Sequence, residues 1–138
     1  ILEESVKKVL ALSDLKNVKI EVNCDKFIKI KGDLKWEIEA LTNIIKNSIE
    51  HAYSGSTVSI TGKDNRIFSI ISIKNQGKSI PKKEILHIFE RFYKGQNSSK
   101  DSIGIGLALA KTIVEKDGGT ISVESKNNET EFKIKYFN

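Results

Sequence analysis

Two glycines, Gly104 and Gly106, separate a polar run from an apolar stretch with helical spacing. Glycine at such a position lets backbone N–H groups come close to an anion at the positive end of a helix. The pair alone is a weak signal, because glycine before a helix is common and no third glycine completes a dinucleotide-binding fingerprint. Its meaning depends on polar residues elsewhere in the chain.

Two asparagines, Asn43 and Asn47, lie one turn apart in a predicted helix. Asparagine is a middling helix former, so this pair marks either a solvent-exposed face or a functional one. In the functional interpretation, an amide oxygen is a neutral ligand for Mg²⁺ while the ion also binds phosphate oxygens and water.

A sharp turn after a predicted strand contains Asn75 and Gly77. The Asn75 amide suits the edge of a base, and Gly77 lets a flat ligand lie against the backbone. Arg91, Lys94 and Lys100 are candidates for binding phosphate charge. For each residue taken alone, an ordinary turn or a solvated surface is the competing interpretation.

The helix that carries the asparagines has two faces. Asp33 offers an N-cap, and the helix is predicted to run to about Ala52. Its apolar stripe comprises Leu34, Ile38, Leu41, Ile45 and Ala52. The roughly opposite face carries Asn43, Asn47 and Glu50.

The remaining elements follow from hydrophobic periodicity and turn residues. Residues 1–12 are predicted helical, a helix is predicted from Pro81 to about Arg91, and another from Gly106 to about Asp117, ended by Gly118 and Gly119. The predicted strands are 18–22 and 27–31 as a hairpin, then 57–63, 67–74, 120–125 and 130–137. The polar run 93–102 is predicted to be a lid or loop. We expect one sheet with helices over one face.

Composition fits one soluble domain: 138 residues, 38% hydrophobic and 30% charged. The net charge of +5 favours anionic ligands, but the lysines are scattered among acids and form no basic stripe for nucleic acid. Cys24 is the single cysteine, which excludes an internal disulfide and fits a reducing, cytosolic setting. The sequence contains no membrane-length apolar stretch and no signal-peptide pattern, and its start at Ile1 suggests a piece of a longer protein.

Four segments together resemble the motifs of sensor histidine kinases. Residues 43–47 resemble the N box, 75–77 the first glycine box, 89–95 the F box and 104–107 the second glycine box, in matching order and spacing. The resemblance extends from about Leu2 to Phe137, and residues 129–132 are similar to the last short motif of the family near the phosphates. Each motif is weak alone, whereas the four together are specific.

The resemblance implies the catalytic and ATP-binding domain of such a kinase, related to the ATPase folds of gyrase, a heat-shock chaperone and mismatch-repair proteins. The expected fold is a two-layer α/β sandwich with a mixed, mostly antiparallel sheet of about five strands and three main helices on one face. Residues 1–138 would form this domain, with 1–12 ending the connection to a separate dimerisation domain. We expect Mg²⁺ and ATP as cofactors, and transfer of the γ-phosphoryl group to a histidine on the dimerisation domain, then to a response regulator. The fragment is expected to be monomeric and cytoplasmic, the parent protein homodimeric and membrane-anchored, with no nucleic-acid partner.

By the same resemblance, Asn47 would be the Mg²⁺ ligand and Asn43 a polar neighbour of the phosphates. Asn75 would face the adenine amino group with Gly77 beneath the base, and Thr130 would lie on the adenine side, through water. The glycines of the second glycine box would direct backbone N–H groups at the phosphates, and the F-box phenylalanines would couple lid movement to the core. The complete set of implied ATP-binding residues is Asn43, Asn47, Glu50, His51, Asn75, Gly77, Ile80, Phe89, Arg91, Phe92, Tyr93, Lys94, Ile103, Gly104, Ile105, Gly106, Leu107 and Thr130.

Two positions depart from the common family pattern. Asn75 stands where many members have aspartate and some have asparagine. A neutral amide is the weaker acceptor, so weaker adenine affinity without loss of binding is expected. Glu50 stands where a lysine often contacts phosphate, which would leave that role to lid and F-box cations or to His51. His87 is interpreted as structural within its apolar helix, and neither histidine resembles the phosphoacceptor, so no catalytic residue is assigned in this fragment.

Three alternative functions stay open at the level of the sequence. The domain could be a regulatory nucleotide sensor or degenerate kinase that binds ATP and transfers nothing. It could be an anti-sigma-factor serine kinase of the same superfamily, although the F box followed by a lid favours the histidine kinase branch. A basic nucleic-acid-binding domain is supported only by the pI of 9.2.

Overall fold

Five strands and four helices are present in the structure, a computed structural model that describes residues 2–24, 32–91 and 105–137. The helices are α1 (Leu2–Lys16), α2 (Leu34–His51), α3 (Lys82–Ile85) and α4 (Gly106–Lys116). The strands are β1 (Lys19–Cys24), β2 (Thr57–Asp64), β3 (Phe68–Gln76), β4 (Thr120–Lys126) and β5 (Glu129–Phe137).

The strands form one sheet in the order β1-β2-β3-β5-β4. β1 pairs with β2 in parallel, and the other three pairings are antiparallel. The predicted mixed, mostly antiparallel five-stranded sheet is therefore confirmed. The partner that the sequence suggested for β1, residues 27–31, lies outside the described residues.

Helices α1, α2 and α4 pack on one face of the sheet, which confirms the two-layer α/β sandwich. Strand residues alternate between this covered face and solvent, as a half-buried sheet requires. On the covered face the two central strands contribute Ile71, Ile73, Phe132 and Ile134, each 0% exposed. Helix α2 supplies the largest helical share of the core, because α1 flanks it on one side and α4 on the other.

Local sequence signals fix several boundaries as predicted. Asp33 caps α2 by accepting from the backbone N–H groups of Lys35 and Trp36 at 3.0 and 3.4 Å. Gly118 has a φ of +82° after α4, and the N–H of Gly119 bonds back to the Val114 carbonyl at 2.9 Å, the arrangement of a Schellman motif.

The tight turn between β4 and β5 is also confirmed. Asn127 and Asn128 both adopt positive φ, 51° and 58°. Two consecutive residues of this kind form a type I′ hairpin turn, for which asparagine is well suited.

The helix predicted from Pro81 is present as α3, but its predicted end at about Arg91 is wrong, because α3 ends at Ile85. Beyond it the backbone N–H groups of His87, Ile88 and Glu90 bond three residues back instead of four, so the chain continues as successive turns. The buried structural position that the sequence predicts for His87 is not observed: its side chain is 53% exposed, and its Nδ1 lies 2.7 Å from Glu90 Oε1.

The apolar stripe of α2 is correct except at its first residue. Ile38, Leu41 and Ile45 are buried, whereas Leu34 is 59% exposed. Leu34 opens the first turn, where the described neighbours do not cover it. No helix among residues 2–24, 32–91 and 105–137 is long and apolar enough to cross a bilayer.

Candidate nucleotide-binding site

One edge of α2 lies between the two glycine motifs, which are far apart in the sequence. Asn43, Asn47 and His51 follow one another at intervals of four residues, so they lie on one edge over about 12 Å of helix. At the first end, the Asn43 side-chain amide donates to the Gly106 carbonyl oxygen at 3.2 Å. At the other end, the His51 carbonyl oxygen lies against Gly77. The two glycine motifs are therefore held at opposite ends of the asparagine-bearing edge.

The start of α4 forms the first end of the candidate site. Ile105 is its N-cap residue and provides no side-chain hydrogen bond, and the first turn contains no acidic residue. A Cβ on Gly106 would meet the Asn43 side chain at 3.7 Å, an ordinary contact. Packing among the described residues therefore does not require glycine here. A helix start to which the described N-cap residue Ile105 gives no side-chain cap suits an anion such as phosphate.

Gly77 has a different role from Gly106. A Cβ at Gly77 would lie 2.0 Å from the His51 carbonyl oxygen, so any larger residue would displace backbone. The Gly77 N–H donates to the Asn128 carbonyl oxygen at 3.0 Å. Gly77 thus joins the end of α2 to the β4–β5 turn, and its small size is explained by protein packing.

Two polar side chains lie at the end of the helix-covered face of the sheet, near Gly77. Asn75 and Thr130 are directly opposite each other in the β3–β5 register, and they are 2% and 4% exposed. They continue the alternation of Ile73 and Phe132, so their side chains lie on the helix-covered face. A buried amide and hydroxyl at the end of an apolar surface could recognise the polar edge of a planar ligand.

A short hydrogen-bond chain extends from Thr130. Its hydroxyl lies 2.7 Å from the Ser125 hydroxyl, and the Ile80 backbone N–H donates to the same Ser125 oxygen at 2.8 Å. The sequence prediction included Ile80 and Thr130 but missed Ser125. The alternation of Ile121 and Val123 on β4 places Ser125 on their face of the sheet, but it does not reveal the partners that give Ser125 its role.

Phe89 attaches the F-box segment to the core. Its ring meets Phe132 edge to face, with centroids 6.1 Å apart, and Lys111 Nζ lies 5.5 Å from its centroid. Arg91 is exposed, and Leu107 packs against the core from α4. The remaining predicted contacts fall outside the described residues; they are Phe92, Tyr93, Lys94, Ile103 and Gly104.

The electrostatics of His51 argue against a cationic role. Burial lowers the pKa of His51, although the nearby carboxylates of Glu50 and Glu84 oppose the effect. The imidazole is therefore neutral at pH 7. His51 therefore adds no positive charge to the site, and it lies at the Gly77 end of α2.

The residues present fit a magnesium ion held together with phosphate. The described segments contain no group of three or more His, Cys, Asp or Glu side chains arranged to hold a metal. Asn47 is half-buried on the edge of α2, one turn from Asn43. A single amide oxygen suits Mg²⁺ when phosphates and water complete its coordination. The N-terminal end of α4, beside Asn43, is suited to such phosphates.

A separate polar cavity of about 290 Å³ lies on the other side of the sheet. It is lined by Gly55, Ser56, Thr57, Ser59, Lys74, Asn75, Gln76 and Glu129, and by no residue of α2 or α4. Thr57 and Ser59 on β2, and Lys74 and Gln76 on β3, alternate with the buried residues of their strands. Asn75 belongs both to this lining and to the candidate site, whereas the other lining residues do not.

Comparison with known proteins identifies the class. Residues 32–137 match the family described as histidine kinase-, DNA gyrase B- and HSP90-like ATPases. The sensor protein VanS of Enterococcus faecium is 36% identical over 78% of this chain and 28% of its own length. The heme sensor protein HssS of Staphylococcus saprophyticus is 34% identical over 94% of this chain and 26% of its own length.

The fold agrees with that class. The solved structure of the mycobacterial sensor histidine kinase MprB superposes with a TM-score of 0.85 and 23% identity, over 99% of this chain and 94% of that one. This chain belongs to the histidine kinase-, DNA gyrase B- and HSP90-like ATPase family. It is an ATP-binding domain of the kinase type, as its resemblance to sensor histidine kinases indicated. The chain spans about a quarter of the length of these curated relatives.

Proposed function

We propose that this domain binds Mg²⁺-ATP and donates the γ-phosphoryl group to a histidine on a separate dimerisation domain, in two-component signal transduction with a response regulator downstream. The observation that carries the proposal is the start of α4 beside Asn43, where the described N-cap residue Ile105 provides no side-chain cap. The opposite end of the same α2 edge leads to the buried pair Asn75 and Thr130. A nucleoside triphosphate with its base at that pair and its phosphates at α4 follows this edge.

The chain's own residues act by positioning. The first backbone N–H groups of α4 would bind phosphate oxygens, and the neutral amides of Asn43 and Asn47 would border them without adding negative charge. Asn47 would hold Mg²⁺, which neutralises charge on the phosphates when bound. Holding the γ-phosphoryl group in line with an acceptor imidazole supplies the rate advantage of orientation. The domain alone should therefore hydrolyse ATP very slowly.

The cellular setting follows the same proposal. The domain would lie on the cytoplasmic side of a membrane-anchored, homodimeric parent protein, with residues 1–12 ending the connection to the dimerisation domain. The isolated fragment would be monomeric. Analytical ultracentrifugation of the 138-residue chain tests the last statement.

A calorimetric titration tests nucleotide binding. We expect ATP to bind at least tenfold more tightly with Mg²⁺ than with EDTA, and Asn47→Ala to remove that difference. Asn23→Ala is the matched control, because Asn23 is an exposed asparagine on β1. Absence of binding at millimolar Mg²⁺-ATP, or an unchanged magnesium effect in Asn47→Ala, would contradict the proposal.

Phosphotransfer to a supplied dimerisation domain tests the reaction. We expect an acid-labile phosphohistidine on that domain. ATP binding without any transfer would indicate a regulatory sensor or degenerate kinase, and an acid-stable phosphoprotein would indicate a serine kinase.

A further inference from the structure

We infer that the base end of this site accepts either an amino group or a carbonyl group at purine C6, so that the domain binds guanine as well as adenine nucleotides. The inference rests on the proposed function. It concerns the groups that would face the base, namely Asn75 and Thr130, and the two groups behind them, Ser125 and the Ile80 N–H.

Asn75 can present either of two opposite hydrogen-bonding groups. Its side chain is 2% exposed on the covered face of β3, so a polar edge placed against it must be matched by the amide itself. A half-turn of the amide exchanges its carbonyl oxygen for its NH₂ group with little change in shape. A carboxylate at this position could only accept.

The hydroxyl pair beside Asn75 is reversible in the same way. In the 2.7 Å contact between Ser125 and Thr130, either hydroxyl can be the donor. The Ile80 N–H donates to the Ser125 oxygen at 2.8 Å, and this bond is compatible with both directions of the pair. When Thr130 donates to Ser125, its lone pairs can accept from a ligand or a water; when Ser125 donates, the Thr130 O–H can donate.

Adenine and guanine differ in whether the group at C6 donates or accepts a hydrogen bond, and Asn75 and Thr130 can each take either role. Adenine carries an amino group there, which donates, whereas guanine carries a carbonyl oxygen, which accepts. A site with a fixed polarity rejects the wrong partner strongly, because a buried group is left unpaired. Asn75 and Thr130 can reorient together, so neither purine leaves one of them unpaired.

Titration of the wild-type chain with Mg²⁺-ATP, Mg²⁺-GTP and Mg²⁺-ITP tests the inference directly. We expect the three dissociation constants to agree within tenfold; inosine carries the C6 carbonyl without the 2-amino group of guanine. Asn75→Asp fixes an acceptor, and it should increase the preference for ATP over GTP at least tenfold. Asn65→Asp is the matched control: Asn65 Oδ1 accepts from two backbone N–H groups at the far end of β3, as aspartate can, so the wild-type ratio should persist.

The outcomes separate this inference from the proposed function. Wild-type binding of ATP more than tenfold tighter than both GTP and ITP overturns the inference and leaves ATP binding intact. An unchanged ATP-to-GTP ratio in Asn75→Asp also overturns it. Failure of all three nucleotides to bind overturns the proposed function together with the inference.

Discussion

A buried carboxyl group on α2 should make the stability of this domain depend on pH. Glu37 is 1% exposed, and its Oε1 accepts a hydrogen bond from the Tyr136 hydroxyl. Its Oε2 is buried and has no hydrogen-bond partner among the described residues, while the neighbouring Asp117 carboxylate can only accept. Protonation of Glu37 supplies the missing hydrogen-bond donor between the two carboxyl groups, because the protonated oxygen can donate to Asp117.

The size of the effect follows from the pKa. Burial first, and then the neighbouring Asp117 side chain, raise the pKa of Glu37 from 4.5 to about 8, against a lowering contribution from the hydrogen bond with Tyr136. The folded chain therefore favours the protonated carboxyl. The contribution of Glu37 to stability is therefore fully present below pH 4.5 and is lost as the pH rises towards about 8. Between pH 5 and pH 7 the free energy of unfolding should fall by about 2 to 3 kcal/mol.

Urea denaturation at pH 5, 6 and 7 measures this slope, with Glu37→Gln as the comparison. Glutamine stays neutral, can accept from Tyr136 and can donate to Asp117, so the variant keeps the contacts and loses the titration. His51 contributes in the opposite sense, because its lowered pKa favours the neutral form and stability as the pH rises. That contribution is common to both proteins and cancels in their difference.

The reasoning is refuted if the wild type and Glu37→Gln lose stability equally between pH 5 and pH 7. Asp117→Asn provides a second check, because it removes the neighbouring carboxylate and leaves burial, the largest cause, in place. We expect this variant to retain a reduced slope. A slope as steep as that of the wild type would show that Asp117 has no part in the effect.

Three further substitutions test the packing of the site. Gly77→Ala places a methyl group 2.0 Å from the His51 carbonyl oxygen, so the free energy of unfolding in urea should fall by about 1 to 3 kcal/mol; an unchanged value contradicts the packing argument. Gly106→Ala meets only an ordinary contact with Asn43, so calorimetry should show weaker Mg²⁺-ATP binding without loss of stability, and unaltered affinity would show that no ligand approaches there. Asp33→Ala removes the cap of α2 and should lower the free energy of unfolding by about 1 kcal/mol, whereas Asp33→Asn should retain most of it.

Much of the fold could be predicted from local signals. The ends of α2 and α4 and the β4–β5 turn depend on residues adjacent in the chain, such as the Asp33 cap, Gly118 and the pair Asn127 and Asn128. The F-box segment could not be predicted in this way. Its residues have helical spacing, but the chain leaves the helix after Ile85 and packs Phe89 on Phe132, a contact that no local pattern encodes.

The sequence predicted which residues belong to the candidate site, but not how they contact one another in space. The motifs supplied the asparagines, Asn75 and both glycine boxes, and their order indicated the family. They did not reveal that Gly77 is small because His51 passes against it, whereas Gly106 has room for a methyl group. Ser125 was missed because its importance comes from Thr130 and the Ile80 N–H, which are brought together only by strand pairing and the following loop.

The sequence by itself determined the family, the class of fold and the identity of the candidate site residues, because motif spacing, caps and turns are properties of neighbouring residues. Only the tertiary structure decided which groups are buried together. Glu37 occupies one turn of an amphipathic helix, where glutamate is normally solvated, yet it is buried against Tyr136, 99 residues away. Burial and hydrogen-bond partners set the protonation of a side chain, and both depend on contacts between residues that are far apart in the sequence.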